Sequence, residues 1–160
     1  MTCPCAFSTD NQFGELSQYL TKLSTLIIKS DNITIIPIEN TLEKIYCSFC
    51  KSLKSLTAER ALEISCISCE NLESLTAKRA LEIDCGRCFN LTTLCADQVL
   101  EIDCEFCEKL ISLDLPQAKR ICCRQCFKLT RLCANQALHI NCVACGKLES
   151  ISAKQAEEIY

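Results

Sequence analysis

Twelve cysteines stand in six C-x-x-C pairs. The first members are Cys47, Cys66, Cys85, Cys104, Cys123 and Cys142, each nineteen residues after the last, and their partners are Cys50, Cys69, Cys88, Cys107, Cys126 and Cys145. Two neighbouring pairs read C-x2-C-x15-C-x2-C, the spacing of a four-cysteine zinc site. Thiolates at this density select soft ions, namely zinc, iron, copper(I) or iron–sulfur clusters. If residues nineteen apart lie over one another, the first cysteines form an inward column and the second form another at the adjoining corner. Together they make a ribbon of sulfur two wide and six deep.

Distances constrain what that ribbon can hold. Stacked strands lie roughly 4.7–4.9 Å apart, whereas a Zn–S bond is about 2.3 Å. An ion midway between level coils would sit about 2.4 Å from a sulfur by height alone, so sulfurs would have to lean together in pairs of coils. Three separate sites fit that better than a uniform ladder of single ions. Clusters held by four cysteines fit as well, because a cluster is wider than one ion. Three clusters in a row would suit electron transfer, and simple metal retention would suit storage. Against these stands a plainer account, in which cysteine is a small, highly buried residue that fills a core.

The elements that position the cysteines are repeats. Cutting at each C-x-x-C gives six copies over residues 47–160 without insertion or deletion, with the pattern C-x-x-C-x-x-L-x-x-L-x-A-x-x-A-x-x-I-x. A degenerate copy without cysteines precedes them over 23–46, with Ile28 and Asp31 in the two thiol places and one residue's slip after Ile38. Such regularity predicts a solenoid covering residues 23–160. Residues 1–22 read as a cap, because STDNQFGELSQYL opens on helix-starting residues and spaces Phe13, Leu16, Tyr19 and Leu20 at helical intervals. Within a copy the signals are strand and turn. In ALEIDC, Leu81, Ile83 and Cys85 share one parity and Glu82 and Asp84 the other. Leu75 and Ala77 repeat the alternation on a second side of the coil.

The segment A-x-x-I-x-C-x-x-C resembles the leucine-rich-repeat segment L-x-x-L-x-L-x-x-[N/C], and Leu23-x-x-Leu26-x-Ile28-x-x-Asp31 is closer still to it. The resemblance spans about residues 23–160 and implies a right-handed parallel β-solenoid of mainly β class. It also implies a protein-interaction scaffold, with cysteines as core filler, as the alternative to metal binding. The repeat is one residue shorter than the usual lower limit of about 20, which points to a flatter coil than a curved horseshoe.

Composition narrows the rest. The chain has 160 residues, 49% of them apolar, 17 cysteines and a formal net charge of -3. That balance provides no basic field for nucleic acid, and no run is long and apolar enough for a membrane span. The amino terminus lacks the pattern of a secretory signal, so the thiols are expected to be reduced, in the cytoplasm. With His139 the only imidazole, no phosphate loop and no nucleophile-plus-base arrangement, no enzyme is expected. Cys95, Cys122 and Cys133 fall in outward places, and Cys3 and Cys5 precede the helical stretch STDNQFGELSQYL of the cap. The expected partners are metal ions, another protein on the solenoid face, and a second copy through the open end at Ile159-Tyr160. The face is marked by a column of Leu62, Leu81, Leu100 and Leu138, which Lys119 interrupts and Glu43 and Glu157 bound.

Overall fold

The computed structural model describes residues 2–3, 24–36 and 42–160. The capping helix expected over residues 1–22 lies outside them, apart from Thr2–Cys3, whose backbone pairs in parallel with Thr25–Leu26. All strand pairings are parallel, and the chain winds as a β-solenoid of about seven turns. Among the described residues there is no helix, and none is long and apolar enough to cross a membrane.

One side of the coil is a nine-stranded ladder. It contains Glu63–Ser65, Glu82–Asp84, Glu101–Asp103, Arg120–Cys122 and His139–Asn141, in register nineteen apart. The degenerate copy joins it with the same period, Leu26 opposite Ile45. Its second strand, Ile35–Ile36, pairs with Ser55–Leu56 twenty residues on, so the register has already slipped by one before Ile35, earlier than the slip read after Ile38, and is back at nineteen by Lys44 opposite Glu63.

The length of the repeat follows from which side chains face inward. In one coil these are Cys66, Cys69, Leu72, Leu75, Ala77, Ala80 and Ile83, all at most 1% exposed. From Cys66 to Cys85 the inward residues advance by five steps of three and two steps of two, which sum to nineteen. A step of two is a strand, where alternate side chains face opposite ways. A step of three is a turn: Cys66–Cys69, Cys69–Leu72 and Ala77–Ala80 each close with an amide-to-carbonyl hydrogen bond of 2.9–3.3 Å. Each strand is only two or three residues long, so stacking of like inward residues, not local propensity, holds the coil together.

This arithmetic corrects the alternation read through ALEIDC. The step from Ala80 to Ile83 is three, so Leu81 and Glu82 both face outward and only Ile83 to Cys85 alternate. Leu62, Leu81 and Leu100 are accordingly 37%, 41% and 39% exposed.

The second side of the coil is interrupted. Ile35–Ile36, Ser55–Thr57, Ser74–Thr76 and Thr93–Cys95 form one ladder, and Ser112–Asp114, Arg131–Cys133 and Ser150–Ser152 form another. At the break, buried Leu115 occupies the place that Ala58, Ala77, Ala96 and Ala134 fill in other copies. The break lies on the Ala96 side of Leu115 alone: on the other side Ser112–Asp114 pairs fully with Arg131–Cys133, and the Leu115 amide donates to the Cys133 carbonyl at 2.8 Å. Leu94 loses full cover at this point, while Leu56, Leu75, Leu113 and Leu132 in its column stay buried.

Candidate metal centre and the cysteine columns

Every cysteine from Cys47 to Cys145 is a free thiol. The two columns form as the repeat requires, and eleven of their twelve members are buried, Cys142 in the last coil being half-buried.

Each C-x-x-C is a four-residue turn whose third position has a positive φ: Phe49 at 66°, Ser68 at 57°, Arg87 at 61°, Phe106 at 58°, Gln125 at 55° and Ala144 at 62°. None is the glycine or asparagine that this region favours. The conformation aims each amide at the next coil: Phe49 donates to the Ile67 carbonyl at 2.7 Å and Ser68 to Gly86 at 2.8 Å. The turn also brings both cysteines of the pair inward. The left-handed backbone is the device that builds the sulfur ribbon, and no residue type in the sequence announces it. Replacing Ser68 with glycine removes the steric penalty and is expected to raise stability by about 0.5–1 kcal/mol. Replacing it with valine should lower it by more than that. Urea melts of the two variants check both signs.

The corner thiols have a regular use. Cys69 donates to the carbonyl oxygen of Cys47 at 3.1 Å, Cys88 to Cys66 at 3.2 Å, Cys107 to Cys85 at 3.3 Å, Cys126 to Cys104 at 3.2 Å and Cys145 to Cys123 at 3.0 Å. Only Cys50 is distant, 3.9 Å from the Ile28 carbonyl, where the degenerate coil has no cysteine. The near-constant spacing shows a uniform ladder; the coils do not lean together in twos.

Four inward thiols are each influenced most by the corner thiol of the next coil: Cys66 by Cys88, Cys85 by Cys107, Cys104 by Cys126 and Cys123 by Cys145. That neighbour, and then burial, pushes each of the four well above its ordinary range. Cys145 differs: its neighbour Cys123 holds its thiol down to about 7. A thiolate is the metal-binding form, and the four inward sulfurs are held as neutral thiols. The columns offer sulfurs in twos, and a four-sulfur site would require neighbouring coils to draw together.

Among the described residues, one set of three potential ligands has all its atoms within 4.8 Å, and it lies elsewhere: Asp103, Glu105 and Cys122. It sits on the outer face of the nine-stranded ladder, where Asp84, Asp103 and Cys122 stack. The sequence carried the signal for it, since those three are nineteen apart, but the column reads as a solvated face until Glu105 is seen to turn back beside it. The Glu105 amide donates to Asp103 Oδ1 at 2.9 Å. Cys122 and His139 take outward places, as does Cys95, which is exposed. His139 Nδ1 lies 3.3 Å from Glu158.

Charges on this face run in order. Lys44 pairs with Glu63, Arg120 with Glu101 and His139 with Glu158. Such exposed pairs contribute about 0–1 kcal/mol each. No protein-family model matches this chain, and neither a curated protein nor a solved structure matches it, so the residues themselves carry the functional reading.

Proposed function

We propose that this cysteine-rich solenoid is a protein-interaction scaffold in which the cysteine columns are packed, hydrogen-bonded core. The observation that carries the reading is the register of Leu62, Leu81 and Leu100. Three leucines, each more than a third exposed, stand side by side on successive coils, where a step of three leaves them no inward place. A contiguous apolar ridge on a rigid repeat is the kind of surface that partners use. The thiols support the same conclusion, because their hydrogen bonds are spent within the ribbon.

The test is affinity capture with the wild-type protein and with the Leu81→Lys, Leu100→Lys double variant. The outward side chains should tolerate lysine with little change in melting midpoint, about 0.5 kcal/mol or less per site. A partner retained by the wild type should be lost from the variant by tenfold or more. Equal capture by both proteins would remove the ridge from the account.

One observation favours a second reading, the binding of zinc, iron or an iron–sulfur cluster. Twelve sulfurs in two stacked columns are a dense store of soft ligands. Elemental analysis and a visible spectrum of protein prepared without oxygen or added metal decide between them. Iron with acid-labile sulfide, or stoichiometric zinc, would establish the second reading.

A further inference from the structure

The outer face of the nine-stranded ladder carries a groove of about 370 Å³ that crosses the strands of four successive coils, from Glu82–Asp84 to His139–Asn141. It is centred on the two coils between which the opposite ladder is broken. The groove therefore lies on the side of the coil opposite the break, while the ladder that floors it stays in unbroken register. Along the groove the charge is lopsided. In the early coils it holds Glu82, Asp84 and Asp103, with Glu105 turned in beside them, and among the described residues none of these four has an ion pair. In the later coils Arg120 and His139 take the same places, each already paired with a carboxylate.

Crowded carboxylates on a half-buried floor repel one another. Asp84 shows it, for burial first and then Asp103, Glu105 and Glu82 raise its carboxyl above the usual range. A cation laid there would relieve that repulsion, and the exposed leucine ridge borders the same strands, Leu81 directly preceding Glu82.

We propose that this groove docks an extended basic segment of a partner protein, its cationic side chains over Glu82, Asp84, Asp103 and Glu105 and its apolar side chains against Leu81 and Leu100. The proposal rests on the scaffold reading and gives it a partner chemistry. The arrangement has a direction: three strand spacings of roughly 4.8 Å match about four extended residues. The positive end of that segment lies over the early coils, because Lys119 and Arg120 repel it from the later ones.

The experiment is a fluorescence-anisotropy titration of the full chain with three labelled hexapeptides: alternating lysine and leucine, alternating glutamate and leucine, and alternating glutamine and leucine. The lysine peptide is expected to bind at least tenfold more tightly than either of the others, and to weaken as salt rises from 50 to about 300 mM. Asp84→Asn with Asp103→Asn keeps the side-chain acceptors that hold the local turns and should lower that affinity by tenfold or more. Asp114→Asn on the broken ladder should leave it unchanged. Equal affinity for all three peptides, or loss with Asp114→Asn as great as with the double variant, would overturn the proposal. If no peptide binds while partner capture still depends on Leu81 and Leu100, the basic-segment inference fails and the scaffold reading stands.

Discussion

The solenoid is expected to unfold cooperatively as the solution is made alkaline, losing stability steeply above about pH 9. Cys66, Cys85, Cys104 and Cys123 are held as neutral thiols by the corner thiols Cys88, Cys107, Cys126 and Cys145 of the next coil and by burial. In the unfolded chain a thiol ionises near pH 8.5. Below that value both states keep the proton, so the contribution to stability is fully present. Above it the unfolded state releases protons that the folded state retains, and the balance tips toward unfolding as pH rises. Each such thiol removes about 1.4 kcal/mol per pH unit, so four remove about 5–6 kcal/mol per unit. The whole stability of a domain is about 5–15 kcal/mol, so one to two units of pH suffice.

Urea melts at pH 7, 8, 9 and 10, followed by circular dichroism, measure this directly. Thiolates bound to a metal would give the opposite dependence. They would already be deprotonated in the folded state, and acid would compete for them, so stability would fall as pH drops. A flat profile from pH 8 to 10 with loss on the acid side would therefore sink the thiol-core account and favour the metal reading. The direction of the dependence is the discriminating result, and it needs no knowledge of which ion is present.

Much of this architecture was legible in the residues because a solenoid converts sequence period into spatial neighbours. The six copies fixed the stacking, and the inward column of Ile64, Ile83, Ile102, Ile121 and Ile140 could be read directly. So could the second strand, since Ser74–Thr76 falls on the second alternating stretch of its copy. The parity of Leu81 misleads for a simple reason. Alternation of period two does not run across a corner where the backbone advances by three, so Leu81 shares the parity of Ile83 and still stands outside, on the face that its column marks. Lys119, in the same column, was the hint that the position is wet.

Other features lay beyond a one-dimensional reading. The left-handed turns are filled by Phe49, Arg87 and Gln125, residues with no preference for that backbone, so only the stacked coils impose it. The break between Thr93–Cys95 and Ser112–Asp114 falls between two copies of the same length, so no gap or insertion marks it, and the groove behind it is built from side chains of four separate copies. For the cysteines, spacing alone could not separate metal ligation from packing, because both need sulfurs stacked nineteen residues apart. The difference lies in the S–H donors, which the fold directs to the carbonyls of the preceding coil.

A variant carrying Cys85→Ala and Cys88→Asn tests that difference at one coil. Alanine at 85 removes a buried sulfur, leaving a small cavity. Asparagine at 88 keeps a donor for the Cys66 carbonyl that the thiol now serves at 3.2 Å, at the expense of extra bulk in a packed corner. Together these changes should lower stability by about 2–4 kcal/mol. The circular dichroism spectrum and the metal content per chain should match the wild type. The alkaline slope should also fall by at least about 1.4 kcal/mol per pH unit, because Cys85 has gone and Cys66, without Cys88, keeps only the protection of burial. Because each coil touches only its neighbours, the weakened contacts lie between the coils around residues 66, 85 and 104, and the unfolding transition should broaden as the two arms of the solenoid begin to melt separately. A structural metal site predicts something else, the loss of a bound ion together with most of the fold. Stoichiometric metal in the wild type, absent from an unfolded variant, would overturn the scaffold reading and return the cysteine columns to the centre of the function.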